Sequence, residues 1–242
     1  MKKLFTILTV VALTTTVSFA QFSAKAGLNM ANIVSNNATV SDNDMKLGMI
    51  IGGNYAMELS DAMSLDVSVA FKQSGTKSSN EETSGGVTYK SSQTDALNYL
   101  DISPSLSFNL SDAMALSVGP YLAFAMSGKR TSEVTISGAG SGVDGTTTES
   151  ESIEFGEATL EGAMNDTGPD GISAMDFGIN IGASFSINDA MSVSAGYALG
   201  LTNLTYIDDD MKDYYDAMDV DLPSIKNSGI FLTFGYSFGG GY

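Results

Sequence analysis

The sequence predicts an all-β fold: an eight-stranded antiparallel up-and-down transmembrane β-barrel with short periplasmic turns and long acidic extracellular loops. Three observations carry this expectation. Apolar residues recur at every second position in run after run. The faces between them hold small residues in place of charged ones. Short connections alternate with long ones along the chain.

The runs follow in order. Phe22 to Met30 and Leu47 to Leu59 alternate with one lapse, Gly53. Leu65, Val67, Val69 and Phe71 form the third run, with Asp66, Ser68, Ala70 and Lys72 on the other face. Leu100 to Leu110 and Leu116 to Met126 supply the fourth and fifth, each with a proline, Pro104 or Pro120, on the apolar face. Met175 to Ile187, Met191 to Leu201 and Ile230 to Phe238 complete the set. A period of two marks a strand whose two faces meet different surroundings. No helical period of comparable length competes with it.

Three connections are near copies: Leu59-Ser-Asp-Ala-Met-Ser-Leu65, Leu110-Ser-Asp-Ala-Met-Ala-Leu116 and Ile187-Asn-Asp-Ala-Met-Ser-Val193. Each is a tight turn in which Ser, Asn or Asp can bond the local backbone. They follow the second, fourth and sixth strands. The other connections, 34–45, 73–95, 130–173 and 206–226, are long. Short turns at one end and long loops at the other are the pattern of an outer-membrane barrel, and both termini then fall at the short-turn end. That placement needs an even strand number, and eight satisfies it.

The second face decides between lipid and water as the outer solvent. A soluble barrel turns a charged face outward. Here that face reads Gly48, Gly52, Ala56, then Ser103, Ser105, Ser107, then Gly178, Gly182, Ser184, which suits the crowded interior of a narrow barrel. The uniformly apolar face suits hydrocarbon, where closure satisfies every backbone group.

The charges sort onto this map. Of 28 acidic residues, 21 fall in the long loops, against Lys77, Lys90, Arg130, Lys212 and Lys226, and three fall in the Asp-Ala turns. The remaining Glu58, Asp66, Asp101 and Asp176 share the lumen face with Lys25, Lys46 and Lys72. Buried charges must pair, so these seven are expected to form a lumen charge network. Lys25, Glu58 and Asp66 belong near the short turns; Lys46, Lys72, Asp101 and Asp176 belong near the long loops. Lys72 and Asp101 should meet across the third and fourth strands. Tyr99, Tyr121 and Phe231 also point inward and help to fill the lumen.

Catalytic chemistry is thin. The 242 residues contain no His and no Cys, so the commonest general base and any thiolate nucleophile are missing. An enzyme is not expected, and no cofactor is implied. A net charge of −17 disfavours nucleic acid as a partner. In the last loop, Met211, Tyr215, Met218 and Leu222 recur at helical spacing, which predicts a short amphipathic helix. Asp208, Asp209, Asp210 and Asp213 beside it offer oxygen ligands to a metal, or a solvated acidic face; the spacing of a calcium-binding loop is absent. Asn165 to Gly171 reads as a turn cluster, and Thr131 to Ser152 lacks the apolar content to fold alone, so disorder is its expected state.

Residues 1–20 join a basic start, Lys2-Lys3, to an apolar stretch and end Ser18-Phe19-Ala20, the three-part pattern of a cleaved export signal. The barrel domain is then 21–242. The stretch Phe22-Ser-Ala-Lys-Ala-Gly-Leu-Asn-Met-Ala-Asn32 directly after that signal, eight amphipathic strands and an aromatic-rich end resemble the small porin-like or PorT-like outer-membrane barrels of Bacteroidota-type bacteria. The last strand alternates to an aromatic, as barrel assembly signals do, and continues through Gly239-Gly-Gly-Tyr242. The resemblance implies residence in the cell outer membrane, with lipid, lipopolysaccharide and the barrel-assembly machinery as partners. Acidic loops imply weak binding of divalent cations. Two roles are compatible with this: a structural or interaction protein acting through its loops, or a narrow porin-like channel for small solutes or ions.

Overall fold

The computed structural model describes residues 22–35, 43–140, 142–165, 168–222 and 224–238. The expected export signal and Tyr242 lie outside these. Among the described residues nine strands form, β1 (Phe22–Ser35), β2 (Asn43–Ser60), β3 (Met63–Ser84), β4 (Val87–Ser111), β5 (Met114–Ser137), β6 (Gly145–Ile153), β7 (Met175–Ser186), β8 (Met191–Gly200) and β9 (Ile225–Ser237). The described loops before β7 and β9 each hold a short helix, α1 (Leu160–Asn165) and α2 (Asp209–Ala217).

Eight of the strands close a ring. Every neighbouring pair is antiparallel, β1 pairs with β9, and β4 with β5 completes the circuit between β7 and β3. The ninth strand, β6, pairs only with the upper part of β5 and stands outside the ring.

The register fixes the dimensions. Ladder partners lead from Phe22 through Tyr55 and Val67 to Pro104. Pro104 faces Pro120, between the pairs Ile102–Leu122 and Leu106–Val118. The row continues through Ile179, Leu199 and Ser228 and returns to β1 at Asn32, ten residues beyond its start. With ~3.3 Å per residue and ~4.8 Å between strands, that stagger tilts eight strands by about 40° and sets a backbone radius of about 8 Å. Inward side chains therefore reach the axis. The two prolines face each other on the outer wall, which confines the missing N–H donors to a single seam where pairing is interrupted.

Outward residues are apolar and unprotected by protein: Met175, Phe177 and Ile181 are 50%, 45% and 59% exposed. From Met175 to Ile187 this belt rises about 30 Å at the inferred tilt, the thickness of a bilayer core. Phe22 meets Tyr55 at a tilt with ring centres 4.9 Å apart, and Tyr236 meets Phe238 edge-to-face at 5.8 Å, which begins an aromatic girdle at the short-turn end. The repeated turns are pinned as expected at two sites. Ser111 Oγ accepts from Ala113 and Met114 N–H, and Asn188 Oδ1 accepts from Ala190 and Met191 N–H.

Two sequence expectations are corrected. The connection 73–95 is not a loop: β3 and β4 run on in register to a two-residue turn at Gly85-Gly86, both with positive φ, as a tight hairpin requires. Thr131 to Ser152 is not disordered either. It forms the β5–β6 hairpin, Gly128–Ile136 against Gly145–Ile153, laid beside the extended β4. Pairing with β4 and cross-strand hydroxyl contacts such as Thr135–Thr146 at 2.9 Å replace the apolar core that the segment lacks. β3 to β6 thus rise from the barrel as a four-stranded upright sheet.

Candidate functional site

Alternation on β3, β4, β5 and β7 aims Lys72, Tyr99, Asp101, Tyr121 and Asp176 at the barrel axis. Lys72 Nζ meets Asp101 Oδ2 at 2.9 Å and lies 4.4 Å from the centre of the Tyr121 ring. Asp101 also accepts from Ser103 Oγ, which in turn accepts from Asn180 Nδ2 at 3.3 Å. Asp176 Oδ2 accepts from Tyr121 Oη and from Asn227 Nδ2, each at 3.0 Å; its Oδ1 is buried without a partner among the described residues. Asn227 Nδ2 further reaches Tyr99 Oη at 3.5 Å, and Ser74 Oγ donates to Asn227 Oδ1 at 3.3 Å. Glycines make room for these groups: a Cβ on Gly178 would sit 2.5 Å from the Tyr121 ring.

The seven expected lumen charges are only partly brought together. Lys72, Asp101 and Asp176 share the long-loop half. Lys25 lies on the same ladder row as Asp101, across Gly52 and Ala70, and makes no direct ion pair among the described residues. Asp66 is held by hydroxyls and an amide, from Ser64, Ser107 and Asn54. Glu58 is exposed at the short-turn rim, and Lys46 is half-buried where the β2–β3 register shifts. The shift follows from an irregularity that alternation in the sequence does not reveal.

Above Asp101 the lumen is sealed. Leu97, Tyr99, Tyr121 and Ala123 are buried to within 1% and cluster with Ile153 and Ala198. Phe155 and Ile172 pack on this layer from the loops. Toward the short turns the lining changes: Ser105, Ser107, Ser117, Ser184 and Ser194 are partly exposed, so water enters that half. The lumen is a cup, open below and closed above.

A knitted cap covers the mouth. Ala158 N–H donates to Tyr206 O at 2.9 Å, Tyr206 N–H to Gly171 O at 2.7 Å, and Ser173 N–H to Leu204 O at 2.9 Å, joining the loops before β7 and after β8. Arg130 ties the cap to the wall. Its Nε and Nη2 donate to the two carboxylate oxygens of Asp95 at 3.0 and 3.2 Å, and its Nη1 to Asp170 Oδ1 at 3.1 Å. Asp95, lying alongside, raises the guanidinium above its ordinary pKa. Between cap and wall is a cavity of about 240 Å³, walled by Ile33, Leu97, Ile172, Leu204, Ile207 and Ile225 with this ionic group at one end. By sequence, Asp95 closes the connection 73–95 while Arg130 and Asp170 stand at opposite ends of 130–173, and nothing in their spacing announces that they meet.

Of the four acids offered as metal ligands or as a solvated face, two have partners of their own. Asp208 caps α2, its Oδ1 accepting from Met211 N–H at 2.8 Å. Asp209 pairs with Lys212 at 2.7 Å, which holds its carboxyl below the usual range. Asp210 and Asp213 are exposed, and the described residues contain no group of three or more metal-capable side chains. The expected helix is present, with Met211 as its buried contact.

A model of the outer membrane protein beta-barrel domain matches residues 14–206. The chain belongs to that family. Its place is the cell outer membrane, where the apolar belt meets lipid. Solved structures similar in shape include Ail, the attachment invasion locus protein of Yersinia pestis, at 13% identity over 89% of this chain and 97% of that one, TM-score 0.39. Neisserial surface protein A matches at 12% over 90% and 97%, TM-score 0.39, and Acinetobacter baumannii CarO at 11% over 88% and 96%, TM-score 0.35. These resemblances are loose. No protein of curated function matches the chain.

Proposed function

We propose that this outer-membrane barrel is a structural and interaction protein: a sealed scaffold that presents an acidic extracellular end to partners. The observation that carries the reading is the closed upper lumen, where Leu97, Tyr99 and Tyr121 meet Ile153, Phe155 and Ile172 under the knitted cap. A sealed barrel does not act by conduction, so its action falls to the loops and the upright sheet. Their excess of acid favours divalent cations, lipopolysaccharide bridged by such cations, and basic partners over a Debye length of about 8 Å.

The reading is non-enzymatic, and no cofactor is needed. The lumen carboxylates Asp66, Asp101 and Asp176 are engaged by hydroxyl, ammonium or amide donors, and no imidazole or thiolate exists to work with them. In this reading residues 1–20 act as the export signal, the assembly machinery receives the chain, and the resemblance of the Phe22–Asn32 stretch supports kinship with the PorT-like barrels. A second reading, the narrow channel, draws on the water-filled lower half, lined by serines and glycines.

The absence of cysteine makes the test direct, since a single introduced thiol reports access. In oriented vesicles, Ser107→Cys should react with a charged, impermeant thiol reagent only from the short-turn side, and Ala123→Cys from neither. Labelling of Ser107→Cys from the long-loop side would favour the channel.

A further inference from the structure

The cavity between cap and wall lies outside the seal, so what it binds is a separate question from conduction. Its walls are aliphatic, four isoleucines with Leu97 and with Leu204 of the cap, around a half-open space of about 240 Å³. A dry cavity of about 150 Å³ with comparable walls holds a benzene-sized guest, so this one has room for a ring with a short tail. At the polar end, Asp95 and Asp170 hold Arg130 at 3.0 and 3.1 Å, an excess of one negative charge in the cavity lining, while the exposed Glu151 approaches the guanidinium from outside it at 3.7 Å. Asp170 accepts from Arg130 through Oδ1 and from Glu154 N–H through Oδ2, which uses two of a carboxylate's about four acceptor sites. An anionic guest meets only a guanidinium that is already occupied. A cationic guest meets an unbalanced carboxylate.

We propose that the capped mouth binds one small organic cation, an aryl-alkyl or branched alkyl ammonium, with its apolar body between Ile33, Leu97, Ile172 and Leu204 and its ammonium on Asp170. The acidic loops raise the local concentration of such cations before they enter. Arg130 acts as the positioning residue that holds Asp170 and Asp95 apart and in place.

The test uses the full barrel in nanodiscs with phenethylammonium, neutral 2-phenylethanol and anionic 3-phenylpropionate as probes. Isoleucine-methyl NMR should show saturable shifts at Ile33, Ile172, Ile207 and Ile225, with Ile181 on the lipid face unmoved. Phenethylammonium should bind at least ten-fold tighter than 2-phenylethanol, and 3-phenylpropionate most weakly. Asp170→Asn should reduce the ammonium affinity several-fold and leave that of the alcohol unchanged. Ile207→Trp, which fills the cavity, should abolish all three. Absence of saturable shifts at the four cavity methyls in the unmodified protein would overturn the site. Equal or tighter binding of the anion would overturn the assignment of charge, and unchanged affinity in a folded Ile207→Trp barrel the assignment of place.

Discussion

Lys72 and Asp101 meet at 2.9 Å with side chains 12% and 6% exposed, so neither charge is well solvated when alone. Removing one partner leaves the other stranded, whereas removing both leaves none. Lys72→Met alone should therefore destabilise the barrel by about 3–5 kcal/mol, and Lys72→Met with Asp101→Leu by much less. Urea unfolding in lipid vesicles, run as a double-mutant cycle, measures this; additive effects would contradict it. Gly178 is a second sensitive point, because a Cβ there meets both Leu199 O and the Tyr121 ring. Gly178→Val should cost ~1–3 kcal/mol or more by overpacking and should loosen the seal through Tyr121, read as a lower unfolding midpoint. The Lys72–Asp101 contact was legible in the sequence because alternation assigns the face and counting from the turn assigns the height. The Arg130–Asp95–Asp170 group was not, since it depends on how a loop folds back.

At the scale of elements, strands and short turns read directly from the sequence, and the polar hairpins did not. Period two is as present in Thr146-Thr-Thr-Glu-Ser-Glu as in Phe22 to Met30, but without apolar contrast it carries no signal. What orders that segment is its pairing with β5, itself held along the edge of the extended β4, a tertiary fact. Hydrogen exchange should accordingly find the ladder amides of 131–136 protected well beyond an unfolded chain; exchange at random-coil rates would restore the disordered reading. The lipid-facing assignment has its own test on β4. Leu106→Arg should destabilise by ~2–4 kcal/mol near the bilayer midplane, and the adjacent lumen change Ser105→Ala far less. Equal losses in vesicle unfolding would reverse the faces.

For the molecule as a whole, strand number and stagger fix an axis too narrow for an open pore unless the lining is small. β7 and β8 supply such a lining below, with Gly182, Ser184, Ser194 and Gly196, while the aromatic layer and the Lys72–Asp101–Asp176 group close the barrel above. The sequence carried the ring of eight and the inward aromatics. It did not carry the cap, whose backbone bonds join Ala158 to Tyr206, Tyr206 to Gly171 and Ser173 to Leu204 across long stretches of chain. The sealed upper lumen is the central claim, and single-channel recording of the purified protein in planar bilayers tests it most directly. The account predicts a silent membrane at moderate voltage, with no stepwise currents from the folded barrel; stable, uniform conductance steps that persist at low voltage would contradict it.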